Sequence, residues 1–125
     1  MPLRPRQSAI IVLALLTSLL HFGAAFDRRL FPEGPDLLFT LNALGYLGLL
    51  GAYLLPIGIL RQRHEFVWWV FVVYTVITIL AWLVIWVGFN VIRDGKPFFD
   101  LDSLYGVPAK LAEILLLLLL HRDKP

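Results

Sequence analysis

The chain has 125 residues, of which 59% are hydrophobic and 16% are charged, and its formal net charge is +2. Soluble domains are usually about 45–50% apolar and about 25% charged, so the composition predicts a membrane protein with a single domain over residues 1–125. The absence of cysteine excludes disulfides, thiolate catalysis and Cys-ligated metals. No basic cluster and no glycine-rich phosphate loop occurs, and we therefore expect no nucleic-acid partner.

The first hydrophobic run, residues 8–26, has roughly the ~20 residues that a transmembrane helix needs. The polar, basic segment before it, Met1–Gln7, is predicted to be non-helical because of Pro2 and Pro5, and Ser8 is a suitable N-cap. A cleaved secretory signal over residues 1–25 is the alternative, because a basic start, an apolar core and small residues are typical of such signals. His21 fits that alternative poorly, and we expect the helix to be retained.

The second run, residues 37–60, is rich in small residues. Those predicted to form one helix-packing face are Gly45, Gly48 and Ala52. Small residues at spacings of three and four let another helix approach closely, which is a simpler explanation than a ligand groove. Pro56 predicts a kink or a loosened last turn. The short charged turn at residues 61–65 predicts that the second and third helices are antiparallel neighbours.

The third run, residues 66–92, is the longest and most aromatic. Trp86 near its far end is expected at the membrane interface, where amphipathic rings are favoured. Thr75 and Thr78 lie midway along the run. A hydroxyl group in a membrane helix can bond its own backbone, so these threonines need no functional explanation.

The fourth run, residues 103–121, is rich in leucine but carries Lys110 and Glu113. Ser103 is the expected N-cap, and Pro108 is expected to disturb the first turns. Charges at bilayer depth are costly and usually face protein or water rather than lipid. Residues three apart on a helix share a face, so we expect the two charges to form an ion pair.

The four runs predict an all-α fold of four antiparallel transmembrane helices, at residues 8–26, 37–60, 66–92 and 103–121. Six basic residues lie on the side of the chain termini and four on the other side. This bias favours cytoplasmic termini in a multi-pass protein of the cell membrane.

Depth along the helices, at about 1.5 Å per residue, places polar side chains of all four helices in the outer half of the bilayer. The predicted polar site consists of His21, Asn42, Tyr46, Asn90, Lys110 and Glu113. The inner half is almost purely apolar. Two interpretations compete, a closed polar network that sets helix register and an outward-facing pocket for a small molecule, an ion or a proton.

The leading functional hypothesis is a non-enzymatic component of the lipid bilayer that assembles with copies of itself or with another membrane protein. Binding or transport in the pocket is the alternative, and an intramembrane enzyme is the second alternative. No catalytic motif occurs, and no catalytic residue is predicted. His64 and His121 share a depth but lie at helix ends, which fits bis-histidine haem ligation poorly, and we expect no cofactor and no metal site.

The order of features along the chain forms a recognisable pattern. Its residues are His21-Phe22, Leu44-Gly45-Tyr46-Leu47-Gly48, Tyr74-Thr75 with Ala81-Trp82, and Lys110 with Glu113. The pattern resembles an uncharacterised prokaryotic family of small four-helix integral membrane proteins. The resemblance covers nearly the whole chain and implies the fold and a membrane location. It implies no activity and adds no functional residue.

Overall fold

The computed structural model of the protein describes residues 5–55, 58, 62–98 and 101–124, the last range without the side chains of residues 101–103. The helices in chain order are α1 at Pro5–Ala25, α2 at Leu37–Leu54, α3 at His64–Trp82 and α4 at Leu101–Arg122. α3 continues directly as a π-helix over Leu83–Arg93. Each of the four is long and apolar enough to cross a membrane, which confirms the predicted all-helical class.

Prolines account for the two largest differences from the predicted helix ends. α1 already begins at Pro5, because proline suits the first turn of a helix, where its missing N–H would have no partner. Ser8 therefore lies inside α1 and is not its N-cap. α2 ends at Leu54, because Leu55 precedes a proline and is extended, with φ −68° and ψ 132°. Most of the predicted remainder of this helix, including Pro56, lies outside the described residues.

The other two helices differ less from the predictions. α4 begins at Leu101, so the predicted N-cap Ser103 lies in its first turn, and Pro108 lies inside the helix as predicted. α3 begins at His64, two residues before the predicted start at residue 66. The sequence did not predict that the last 11 residues of this span form a π-helix. Such long π-helical stretches are rare, and shorter ones occur frequently at functional sites.

The two ends of the chain meet at one end of the bundle, called the terminal end below. The Arg6 guanidinium Nε donates to Asp123 Oδ1 at 2.9 Å, and the Tyr53 hydroxyl also donates to the Asp123 carboxylate. Trp68 Nε1 donates to the Leu120 carbonyl at 2.7 Å. These contacts bring all four helices together at one level, as an antiparallel arrangement requires.

The opposite end, called the loop end, carries the α1–α2 and α3–α4 connections. The Asp27 carboxylate accepts a hydrogen bond from the Tyr105 hydroxyl at 2.6 Å and one from the Arg29 guanidinium at 2.8 Å. The first of these bonds fastens the end of α1 to the beginning of α4. The α1–α2 connection then ends at Asp36, whose Oδ2 accepts from the Phe39 backbone N–H at 2.9 Å and caps α2.

The apolar core fills the terminal half of the bundle. Its fully buried side chains include Ile10, Tyr46, Phe71, Leu116 and Leu120. α1 packs closely along both α2 and α4, and the α-helical part of α3 completes the core. Within the described residues, the π-helical part of α3 has no comparable packing against another helix. Space is therefore left between the helices in the loop half.

The three small residues of α2 have different surroundings. A Cβ on Gly45 would overlap the Tyr74 hydroxyl and ring, so this glycine lets α3 approach α2. Ala52 packs against the core. Gly48 is exposed, and a Cβ there would meet no atom within 4 Å.

Gly45 and Gly48 form a matched pair of positions for alanine substitution. We expect Gly45→Ala to lower the free energy of unfolding by about 1–3 kcal/mol, because Tyr74 must move and lose its 2.7 Å bond to the Asn42 carbonyl. Gly48→Ala adds a methyl group in open space and is expected to stay within about 1 kcal/mol of the parent protein. Denaturant unfolding in detergent measures the change in stability of both variants. Equal changes would contradict the contact between α2 and α3 at Gly45.

Asp27 predicts a pH dependence of stability. Hydrogen bonds from Arg29 and then Tyr105 hold the pKa of the Asp27 carboxyl well below its ordinary value of 3.8. The bonds therefore stabilise the fold above that pH, and their contribution declines as the pH falls below about 4. We expect Asp27→Asn to be less stable than the parent at neutral pH, with a difference that shrinks in acid.

Thermal unfolding between neutral pH and about pH 2 tests this dependence. Asp94→Asn is the control for a lost charge, since Asp94 pairs only locally with the exposed Arg93 next to it. A difference between Asp27→Asn and the parent that stays constant down to the lowest pH would contradict the assignment.

Candidate functional site

The ion pair expected in α4 is present and lies inside the bundle. Lys110 Nζ lies 2.9 Å from Glu113 Oε2, and the Glu113 side chain is 0% exposed. The helical spacing of three residues places both groups on the face of α4 that packs against the other helices. Because each charge lies next to the other, the cost of burying them is much smaller than for an isolated charge.

His21 of α1 is the third ionisable group at this depth. Its Nε2 lies 3.8 Å from Glu113 Oε1, and its Nδ1 lies 2.8 Å from the Thr17 carbonyl oxygen. A carbonyl oxygen can only accept, so the hydrogen is inferred to be on Nδ1, and Nε2 faces the carboxylate. The ring also contacts Tyr46, with ring centroids 5.9 Å apart. α1, α2 and α4 are thereby joined around Glu113.

A cavity of about 440 Å³ lies on the loop-end side of this cluster. Four of the six predicted polar residues line it, namely His21, Asn42, Asn90 and Lys110. The other two, Tyr46 and Glu113, are fully buried in the helix packing and do not line it. The cavity has the size of pockets that hold small molecules, which are typically about 300–1,000 Å³ and mostly apolar.

One wall of the cavity is a stripe along α3 and its π-helical continuation. Its members, spaced four residues apart, are Thr78, Trp82, Trp86 and Asn90. In a pure α-helix of 3.6 residues per turn, side chains four residues apart would move steadily around the helix and away from one face. In the π-helix, with its wider turns, side chains four residues apart rotate in the opposite direction. The two rotations offset each other, so all four side chains stay on the cavity face.

Most of this stripe was not recognised in the sequence. Thr78 bonds its own backbone as predicted, since its hydroxyl donates to the Tyr74 carbonyl at 2.9 Å. It also accepts a hydrogen bond from Asn42 Nδ2 at 3.2 Å, which links α3 to α2. Trp86 was expected at the membrane interface, but it is 7% exposed and lines the cavity. The spacing of four from Thr78 to Asn90 does not identify the wall by itself, because it keeps to one face only in a helix that is partly π-helical.

Two polar atoms of the cavity wall have no hydrogen-bond partner in the structure. They are Asn42 Oδ1, an acceptor, and Trp86 Nε1, a donor. Buried polar atoms are nearly always paired with protein or with ordered water, so an unpaired donor and acceptor call for an explanation. Both atoms are covered by neighbouring protein atoms, so a molecule in the cavity would reach them only after the side chains turn.

The charges around the cavity are unequal. Among the described residues that line it, Lys96 and Lys110 are basic and none is acidic. Lys96 Nζ lies at the loop end, where it donates to Asn90 Oδ1 at 3.3 Å. Glu113 lies behind Lys110 and neutralises one of the two positive charges. Within the part of the chain that the structure describes, the arrangement can therefore hold a small molecule by an apolar wall, a few hydrogen bonds and one positive charge without an acidic partner.

Comparison with models of known protein families, with curated proteins and with solved structures finds no match for this chain. The resemblance to small four-helix membrane proteins therefore stays a prediction. The function has to be argued from the site itself.

The Lys110–Glu113 pair predicts an unusual order of variant stabilities. We expect Lys110→Leu and Glu113→Leu each to cost about 3–5 kcal/mol, because each leaves a buried charge without its partner. The double variant is expected to be more stable than either single variant, since it removes both charges.

Denaturant unfolding of the three proteins in detergent measures this order. Replacing the exposed Arg93 by Gln is the control, and it should change stability by no more than about 0.5 kcal/mol. A double variant clearly less stable than both single variants would contradict the buried pair.

Proposed function

We propose that the protein binds a small amphiphilic molecule in its cavity and has no enzymatic activity. The observation that supports this most directly is the cavity of about 440 Å³, lined by polar side chains from all four helical spans. A closed polar network would leave no such space between the helices. The proposal follows the binding alternative drawn from the sequence rather than its leading hypothesis.

The proposed location is the cell membrane, with the loop end outside and both termini in the cytoplasm. The excess of basic residues at the terminal end supports this orientation. The cavity then faces outward and the apolar core, with Phe71 and Leu116 at its centre, closes the inner half. A bound molecule would reach the site from the outer side of the bilayer.

Assembly with a second copy or another membrane protein is the second candidate function. Its specific support is Gly48, which is exposed on α2 in open space, so that even an added Cβ would have no atom within 4 Å. Small exposed residues let membrane helices approach one another closely. The compact pairing of Lys110 with Glu113 also agrees with a site that needs no ligand.

Two alanines of α4 allow the binding proposal to be tested. Ala109 lines the cavity and Ala112 does not, although each is only 3% exposed. We expect Ala109→Leu to extend into the cavity, to leave the melting temperature nearly unchanged and to exclude the bound molecule. Ala112→Leu is the matched control, and it should cost about 1–3 kcal/mol through overpacking.

Native mass spectrometry of protein extracted from its own membranes measures bound small molecules directly. A bound mass on the parent protein that disappears in Ala109→Leu supports the proposal. The same bound mass on both proteins would contradict it. An assembly role would instead leave Ala109→Leu unchanged and be sensitive to bulk at Gly48.

A further inference from the structure

The exposure of two lining residues points to a sideways opening of the cavity, between α2 and the π-helical part of α3. Leu38 and Ile85 line it from these two elements, yet they are 74% and 56% exposed. Closer to the terminal end, two hydrogen bonds close the gap between α2 and α3. The Tyr74 hydroxyl donates to the Asn42 carbonyl, and Asn42 Nδ2 donates to the Thr78 hydroxyl. In a bilayer this opening faces lipid chains rather than water. A molecule can therefore place its polar part in the cavity while its apolar chain remains in the bilayer.

The charges around the cavity favour a head group with one negative charge. Lys96 and Lys110 line the cavity, and Glu113 compensates one of them at 2.9 Å. With His21 counted as neutral, one positive charge remains among the described side chains that line the cavity or pair with them. Lys110 forms an ion pair with Glu113, and Lys96 donates to the neutral amide oxygen of Asn90. Both ammonium groups therefore keep donors for an anion.

Trp86 supplies a second kind of evidence for an accepting head group. Its side chain is 93% buried, from an exposure of 7%, and its N–H has no partner in the structure. The N–H is covered by protein in this structure, and a turn of the indole ring would bring it to the cavity. A carboxylate, with several lone pairs on two oxygens, can then accept from the indole N–H and an ammonium group together. The cavity of about 440 Å³ suits such a head and the first part of one chain better than a two-chain phospholipid.

We propose that the site binds a single-chain lipid with a carboxylate head, which enters between Leu38 and Ile85 and is held by Lys96, Lys110 and Trp86. The inference rests on the proposed binding function and names its ligand class. The charge-assisted bonds from the lysines distinguish the acid from a neutral lipid of the same length. The lateral gap distinguishes it from a small soluble carboxylate.

Photolabelling of the full chain in phosphatidylcholine nanodiscs tests the ligand class. The probe is a palmitate analogue with a diazirine in mid-chain, and the competitors are palmitate, hexadecanol and acetate. We expect labelling on α2 near Leu38 and on the π-helix near Ile85. Palmitate should compete at a concentration at least about tenfold lower than hexadecanol, the effect of one hydrogen bond to a charged group, and acetate should not compete.

Variants identify the groups that hold the head. Trp86→Phe removes the unpaired N–H and keeps the ring, and Lys96→Gln removes one charge. Each should weaken competition by palmitate roughly threefold to tenfold, with an unchanged melting temperature. The matched controls Trp69→Phe and Lys124→Gln lie at the terminal end and should leave competition unchanged.

The outcomes separate the ligand class from the proposed function. If palmitate and hexadecanol compete equally while Ala109→Leu still abolishes labelling, the inferred carboxylate head is wrong. The cavity would then still bind a lipid, as the proposed function states. If acetate competes as strongly as palmitate, the inference that the ligand carries a lipid chain is wrong. Labelling that neither palmitate nor Ala109→Leu reduces overturns both proposals.

Discussion

The buried pair of Lys110 and Glu113 constrains the rest of the bundle. A charge in an apolar interior is tolerated only with its counter-charge, and helical spacing supplies that partner within α4. Because Lys110 and Glu113 must face the interior of the bundle, the same face of α4 is turned inward along the whole helix. α1 meets this face with His21, and α2 contributes Tyr46, whose ring lies against that of His21. The closest helix packing in the molecule, that of α1 against α2 and α4, is built around these contacts.

The two halves of the bundle are held by different interactions. The terminal half combines a close-packed core with a set of hydrogen bonds in which Asp123 and Trp68 connect separate helices. The loop half is joined mainly by Asp27 and Tyr105, and the π-helix stands apart from its neighbours. A cavity can persist there because the other half supplies the packing that the fold needs. The cavity and the close-packed core therefore occupy separate levels of the same four helices.

Features that depend on local pattern were predictable, and features that depend on packing were not. Four hydrophobic runs and the spacing of Lys110 and Glu113 are sufficient for the helices and for the ion pair. The end of α2 was missed because the proline after Leu55 was interpreted as a kink and not as a stop. The cavity depends on the space that helices leave unfilled and on a π-helix, neither of which has a clear sequence signal. Trp86 could be assigned to the cavity only after the rotation of that helix was known.

The walls of the cavity are fixed by aromatic rings that lie against glycine backbone. Trp82 of α3 contacts Gly106 of α4, and Tyr105 of α4 contacts Gly23 of α1. Each contact holds two helices at a set distance, because a rigid ring against backbone cannot be compressed. The space between them is thus present before any ligand arrives, and binding does not have to order the walls.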